Sequence, residues 1–212
     1  DAIGMAGTIE IARAFKQGPR PDRTIVFSAW TAEERGLLGS EYYADHPWLP
    51  LETTVSNFTM DVLQPNGLAR DVVLVGAGQN ELDSLLAQKA AGQGRVVTPD
   101  AKPERGLAFR ADHFPFARRG VPALLLMGMG GGHDLVNGGR EAGDRWVAEF
   151  TGKCYHQACD RWSESWDLRG AAQDVTLVYQ MASQLANSRA WPQWNPGSEF
   201  KAVRDSTAAR RK

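Results

Sequence analysis

Short apolar runs alternate with amphipathic helical patterns along this chain, and no other feature constrains its fold as strongly. The strand-like runs cover residues 24–29, 55–62, 71–76, 96–97 and 121–127, and the helical patterns cover residues 3–15, 37–44, 82–91 and 168–187. Strands that alternate with helices form a largely parallel sheet with helices packed on its faces. The sequence therefore predicts an α/β fold, a three-layer α/β/α sandwich around a mixed, mostly parallel sheet.

Composition limits the kinds of partner. The 212 residues are 42% hydrophobic, which is enough apolar material for one sizeable core, so we predict a single domain over residues 1–212. The formal net charge is −1, from 24 basic and 25 acidic residues. No global field favours nucleic acid or an anionic membrane, and no apolar run reaches the roughly 20 residues that span a bilayer.

Two adjacent carboxylates, Glu33 and Glu34, lie between the predicted strand 24–29 and the helical pattern 37–44. The carboxyl ends of strands in an open α/β sheet are where ligands bind. A solvated helix start is the alternative, because the helix dipole favours glutamate in a first turn. The residues further along the chain favour a ligand-binding role.

Other polar residues fall at strand ends of the same predicted sheet: Asp61, Asp112, His113 and His156. Aspartate is depleted in strands, so Asp61 near the end of the run 55–62 calls for a specific role. A mixed set of carboxylates and imidazoles suits zinc or another first-row divalent ion. A hydrolytic site of this kind also needs one carboxylate that stays free to accept a proton from water. His113 and His133 are not expected to be ligands.

Cys154 and Cys159 flank His156 and allow three states. They could form a small disulfide loop, remain free thiols or bind a metal as thiolates. If oxidised, they would close a short loop and contribute on the order of 2 kcal/mol. The glycine-rich segment 128–132 lacks the Gly-Lys-Ser/Thr of a phosphate loop, and we predict a flexible loop there with no clear helix after it.

Several segments together resemble one family. They are Thr31-Ala32-Glu33-Glu34-Arg35-Gly36-Leu37-Leu38-Gly39-Ser40, Asn57-Phe58-Thr59-Met60-Asp61, the block from Asp112 to Ala123, and Tyr155-His156 with Asp160. In this order they are similar to the M28 family of zinc aminopeptidases, with further matches at residues 170–174 and 197–200. The resemblance covers most of the chain.

The resemblance implies roles for individual residues. Glu33 matches the general base, Glu34 a ligand of one zinc ion, Asp61 a ligand of the other, and His156 the histidine that shares a metal with Glu34. A complete site of this family holds two Zn²⁺ and removes amino-terminal residues from peptide substrates. Three further residues are candidates for orienting imidazoles or lining a side-chain pocket: Asp112, Asp160 and Trp162.

The resemblance also implies ligands that this chain does not show. The family's first histidine and its bridging aspartate would precede residue 1, unless Asp1 replaces the latter through a register shift. We therefore expect a catalytic domain truncated at its amino terminus, with weak or absent zinc binding in these 212 residues.

Two other functions remain open. One is a glutaminyl-cyclase-like acyltransferase that uses one zinc ion, and the other is an inactive fragment or binding module of the same fold. The retention of Asp61 with the other site residues favours the peptidase. The two cysteines and the export common among such peptidases predict a periplasmic or secreted protein, and the sequence makes no prediction of oligomeric state.

Overall fold

A four-stranded mixed sheet forms the centre of the fold in the computed structural model, which describes residues 2–211. The strands are β1 Asn57–Asp61, β2 Asp71–Val75, β3 Val96–Pro99 and β4 Ala123–Met127, in the spatial order β1-β4-β2-β3. Strands β1 and β4 pair in parallel, as do β2 and β3, whereas β2 and β4 pair antiparallel. The predicted mixed α/β sheet is confirmed.

Helices flank this sheet along the described chain. Their bounds are α1 Ala2–Gln17, α2 Leu38–Asp45, α3 Leu82–Gly92, α4 Phe114–Arg118, α5 Gly139–Glu149, α6 Arg169–Ala186 and α7 Lys201–Ser206. Helix α6 is the longest with 18 residues. None of the helices within residues 2–211 has the combined length and apolar character needed to cross a membrane.

The period-two alternation of the strands sends their side chains to two cores. On one face, Leu74 of β2 and Leu126 of β4 pack against helices α1, α3 and α6, whose inward residues include Leu86 and Met181. Each of these four side chains is at most 2% exposed. The apolar stripe of each helix is what attaches it to the sheet.

The opposite face of the sheet is covered by shorter segments. Leu125 and Met127 of β4 pack there against Leu107, with Phe150 and Tyr155 at the margin. This second core lies next to the carboxyl end of β1, because β1 and β4 run in parallel and Asp61 pairs with Met127. The end of β1 is thereby fixed against a packed surface.

The predicted strand over residues 24–29 is wrong. These residues are irregular in the structure, and Val26 and Phe27 are 44% and 40% exposed. A strand persists when a neighbouring strand forms hydrogen bonds with its backbone N–H and C=O groups. No strand within residues 2–211 pairs with this segment. Edge strand β1 and residues 24–29 instead line the same cavity.

The prediction that no helix follows the glycine-rich segment is also wrong. Helix α5 begins at Gly139 and continues into a π-helical turn, Phe150–Cys154. Its single buried residue is Gly143, and Trp146 and Val147 are the only large apolar residues among its eleven, which are too few for the sequence to indicate a helix. The helix docks through close backbone approach.

Gly143 offers a direct test of this docking. A Cβ atom there would lie 2.1 Å from the carbonyl oxygen of His133, a backbone atom that cannot simply rotate away. We expect Gly143→Ala to lower the free energy of unfolding, measured by urea denaturation, by about 1–3 kcal/mol.

Gly92 provides the matched control because it also lies in an eleven-residue helix, and a Cβ there meets nothing within 4 Å. Gly92→Ala should leave stability unchanged or raise it by up to about 1 kcal/mol. If Gly143→Ala and Gly92→Ala changed the free energy of unfolding equally, the docking of α5 against the backbone of His133 would be contradicted.

A buried histidine gives a second test, through pH. His113 precedes α4, its Nδ1 is buried without a hydrogen-bond partner, and burial lowers its pKa from 6.5 to about 4. As the pH falls below 6.5 the unfolded chain takes up this proton first, so stability is lost between pH 6.5 and about 4. The slope from this group approaches about 1 kcal/mol per pH unit.

Replacing the imidazole should remove that slope. In urea denaturation between about pH 7 and pH 5, His113→Gln should show a shallower loss of stability than the unsubstituted protein. His46→Gln, at an exposed position, is the control and should retain the full slope. Parallel pH profiles for all three proteins would contradict the assignment.

Candidate active site

A cavity of about 1530 Å³ opens beside the carboxyl end of β1. It is lined by most of the residues that the sequence singles out: Glu33, Glu34, Asp61, Asp112, His156 and Asp160. Trp162 does not line it and is 64% exposed. Residues that lie up to 127 positions apart in sequence thus meet at one surface.

The two glutamates lie on a tight turn rather than on a long helix. A single 3₁₀ turn spans Glu33–Arg35, and Ala32 before it and Gly36 after it both adopt left-handed backbone conformations, with φ of 55° and 98°. Glycine adopts this conformation without steric cost, whereas alanine does not. The helix-start interpretation is therefore incomplete, because α2 begins only at Leu38.

The residues after the turn anchor it. A Cβ on Gly39 would lie 2.6 Å from the carbonyl oxygen of Thr31, so only glycine allows the chain to fold back this closely. The fully buried Ser40 donates a hydrogen bond of 2.5 Å from its hydroxyl to Asp112. Helix α2 is thereby tied to the segment before α4, and Asp112 contacts a serine rather than the imidazole that we expected.

Asp61 is the last residue of β1 and is held by its own backbone. Its Oδ1 accepts a hydrogen bond of 2.7 Å from the amide of Val62. Burial raises the pKa of Asp61, although this hydrogen bond acts in the opposite direction. The carboxylate of Asp61 is therefore a partly desolvated group at the sheet edge, with oxygens of the kind that can ligate a metal ion.

His156 reaches the site from the segment that follows α5. Its Nε2 lies 2.6 Å from Oε1 of Glu34, and its ring stacks on Tyr155 with 3.8 Å between centroids. A disulfide joins Cys154 to Cys159, so the structure selects this state over free thiols and thiolate ligands. Glu34 and His156, which the resemblance predicts to share a metal ion, thus lie in direct contact, and their role as ligands stays a prediction.

The neighbouring glutamates differ in their surroundings. Glu34 faces His156, whereas the carboxylate of Glu33 has no hydrogen bond or ion pair to any side chain among residues 2–211. Partial burial raises the pKa of Glu33 to about 7, with further contributions from Glu34, Asp61 and Asp112. Within the described residues, Glu34 thus contacts an imidazole and Glu33 has no hydrogen-bonded side-chain partner, and their roles as ligand and base stay predictions.

Two residues without an assigned role also belong to the site. Arg110 and Tyr155 line the cavity, and the positive charge of Arg110 opposes the rise in the pKa of Glu33. Burial raises the pKa of Tyr155, so its hydroxyl stays protonated and can donate a hydrogen bond. The available signals were the place of Tyr155 next to His156 in a resembling motif and the place of Arg110 two residues before Asp112.

The donor types fit a zinc site in kind. An imidazole nitrogen faces a carboxylate, and the partly desolvated carboxylate of Asp61 lines the same cavity. Within residues 2–211, however, no three such side chains converge closely enough to hold a metal ion. Asp1, the proposed substitute ligand, lies outside the described residues.

Comparison with known proteins supplies the context for this geometry. The chain is 26% identical over 162 residues to leupeptin-inactivating enzyme 1 of Streptomyces exfoliatus, covering 74% of this chain and 34% of that protein. It is 31% identical over 143 residues to the glutamate carboxypeptidase 2 homolog of Caenorhabditis elegans, covering 61% of this chain and 17% of that protein. The chain thus spans 34% or less of the length of these two relatives.

A solved structure and a family model agree with these matches. The aminopeptidase from Aneurinibacillus sp. strain AM-1 superposes with a TM-score of 0.60 at 22% identity, over 93% of this chain and 40% of that chain, which supports the fold. The model of Peptidase family M28 matches residues 1–180. The chain therefore belongs to Peptidase family M28.

Proposed function

We propose that the protein carrying this chain is a zinc-dependent aminopeptidase that hydrolyses amino-terminal residues of peptides. The observation that carries the proposal is the convergence of Glu33, Glu34, Asp61 and His156 on one cavity, with Glu34 and His156 2.6 Å apart. Family membership supports peptidase chemistry, and the arrangement of the carboxylates supports the roles proposed below.

Glu33 is the proposed general base. Its carboxylate lies free in the cavity beside the engaged Glu34, where it can accept a proton from the attacking water and deliver it to the leaving amine. Left-handed residues, Ala32 and Gly36, flank the tight turn on which Glu33 lies. The hydrogen bond from Ser40 to Asp112 holds that turn against the rest of the site.

Glu34, Asp61 and His156 are the proposed zinc ligands in this chain. In a complete site with two ions, Glu34 and His156 would share one and Asp61 would bind the other. When bound, zinc supplies Lewis acidity that polarises the scissile carbonyl and makes water a better nucleophile at neutral pH. The stack of Tyr155 on His156 orients the imidazole toward Glu34.

We also propose that the protein works in the periplasm or outside the cell. The disulfide between Cys154 and Cys159 supports this, because such bonds persist in oxidising compartments. Peptides are the proposed substrates.

The sharpest test replaces the base without removing a ligand. Glu33→Gln in the intact protein should lower the turnover of aminoacyl anilides by at least about a hundredfold, because a neutral amide cannot accept the proton. Zinc content, measured by elemental analysis, should stay at the level of the unsubstituted protein, because Glu33 is not among the proposed ligands.

Two further variants make the result specific. Glu34→Gln should lose both zinc and turnover, because a proposed ligand is weakened. Glu149→Gln, exposed at the end of α5 and outside the cavity, should match the unsubstituted protein in both measurements. Undiminished turnover by Glu33→Gln would refute the assigned base, and formation of pyroglutamyl products without anilide hydrolysis would favour the cyclase alternative.

A further inference from the structure

The loop that carries His156 has little packing of its own. Residues 156–160 are all exposed, and their backbone hydrogen bonds are local, as from Gln157 to Cys154 and from Asp160 to Gln157. Such a segment belongs to the least stable part of a fold, because few buried contacts oppose its opening. A ligand residue placed there needs an additional constraint.

His156 itself adopts a costly backbone conformation. Its φ is 59°, in the left-handed region that a residue with a Cβ occupies only at an energetic cost. A conformation of this kind persists where the surroundings over-determine it. Contacts made by the residues on either side of His156 supply this restraint.

Contacts on the amino-terminal side restrain one end of the loop. The amide of Tyr155 donates to the carbonyl oxygen of Phe150 at 2.8 Å, and the two rings pack with 6.0 Å between centroids. On the carboxyl-terminal side, Cys159 is held by its disulfide to Cys154, with 5.2 Å between Cα atoms. The covalent bond therefore closes the loop around His156 where packing is sparse.

We propose that the Cys154–Cys159 disulfide is a positioning element for His156, and that its reduction releases the imidazole from Glu34 and weakens zinc binding. The proposal rests on the proposed function, since it concerns the same site. Cys154 and Cys159 touch no substrate, and they act through the backbone of His156. A site of this design loses activity in a reducing compartment.

The reaction that opens the loop requires a dithiol as reductant. A thiolate of the dithiol attacks the sulfur of Cys159, which is an exposed residue, so that a mixed disulfide forms there while the bond to Cys154 breaks and Cys154 leaves as a thiolate. The second thiol of the reductant then displaces the protein thiol. Two electrons and two protons pass to the protein, which gains two thiols, and the dithiol becomes a cyclic disulfide.

The experiment compares the unsubstituted intact protein, the Cys154→Ala/Cys159→Ala double variant and Gly152→Ala. Gly152 lies in the π-helical turn before Cys154, and a Cβ there meets nothing within 4 Å, so it controls for substitution in this segment. Zinc affinity is measured by competition with a chromophoric chelator. The position of the imidazole in the metal-free protein is measured by the nuclear Overhauser effect between the rings of His156 and Tyr155.

We expect the zinc affinity of the double variant to be at least about tenfold lower, and most of the ring-to-ring signal to be lost. Without the disulfide, the conformational entropy of ordering the loop opposes zinc binding. Gly152→Ala should behave as the unsubstituted protein. Treatment of the folded unsubstituted protein with dithiothreitol should reproduce the loss, and reoxidation should restore both quantities. If the double variant fails to fold, the protein treated with dithiothreitol provides the same comparison.

Unchanged zinc affinity together with an unchanged ring-to-ring signal would overturn the proposal and leave the disulfide a purely stabilising role. A protein that binds no zinc and hydrolyses no anilide would refute the proposed function instead. The ring-to-ring signal in the metal-free protein would still decide whether the disulfide positions His156, so the two failures are distinguishable.

Discussion

The parallel pairing of β1 with β4 is the interaction on which the candidate site depends. It places Asp61 opposite Met127, at the edge where both strands end. Strand β4 is internal, with side chains buried on both faces, so the position of this edge cannot shift without disturbing both cores. A one-residue slip in register would turn the side chains of β1 to the wrong face. The remaining site residues are brought to Asp61 by loops.

Several helices and strands that bury apolar side chains are predicted correctly from the sequence. Helix α6 and strand β4 each bury a clear pattern, and their predicted extents agree with the structure to within two residues. The two errors have different causes. Residues 24–29 have the composition of a strand but lack a partner among residues 2–211, and α5 is a helix whose contact is made by glycine. The amino-acid composition of a segment shows neither whether it pairs with a strand nor how closely its backbone approaches another segment.

The candidate site was predictable as a set of residues rather than as a geometry. The motif resemblance identified Glu33, Glu34, Asp61 and His156, which the structure brings to one cavity. The left-handed backbone at Ala32 and His156 could not be predicted, because neither residue type favours it. The same holds for the hydrogen bond between Ser40 and Asp112, which joins residues 72 positions apart.

The charges around the cavity bear on which kind of ligand it can bind. Four carboxylates (Glu33, Glu34, Asp61 and Asp112) face the single guanidinium of Arg110 among the groups that act on Glu33. Without a bound cation, the field of these groups attracts positive charge and repels a carboxylate. Cations held at Glu34 and at Asp61 would offset these negative charges. Charge balance therefore favours a cation as the first ligand at this edge of the sheet.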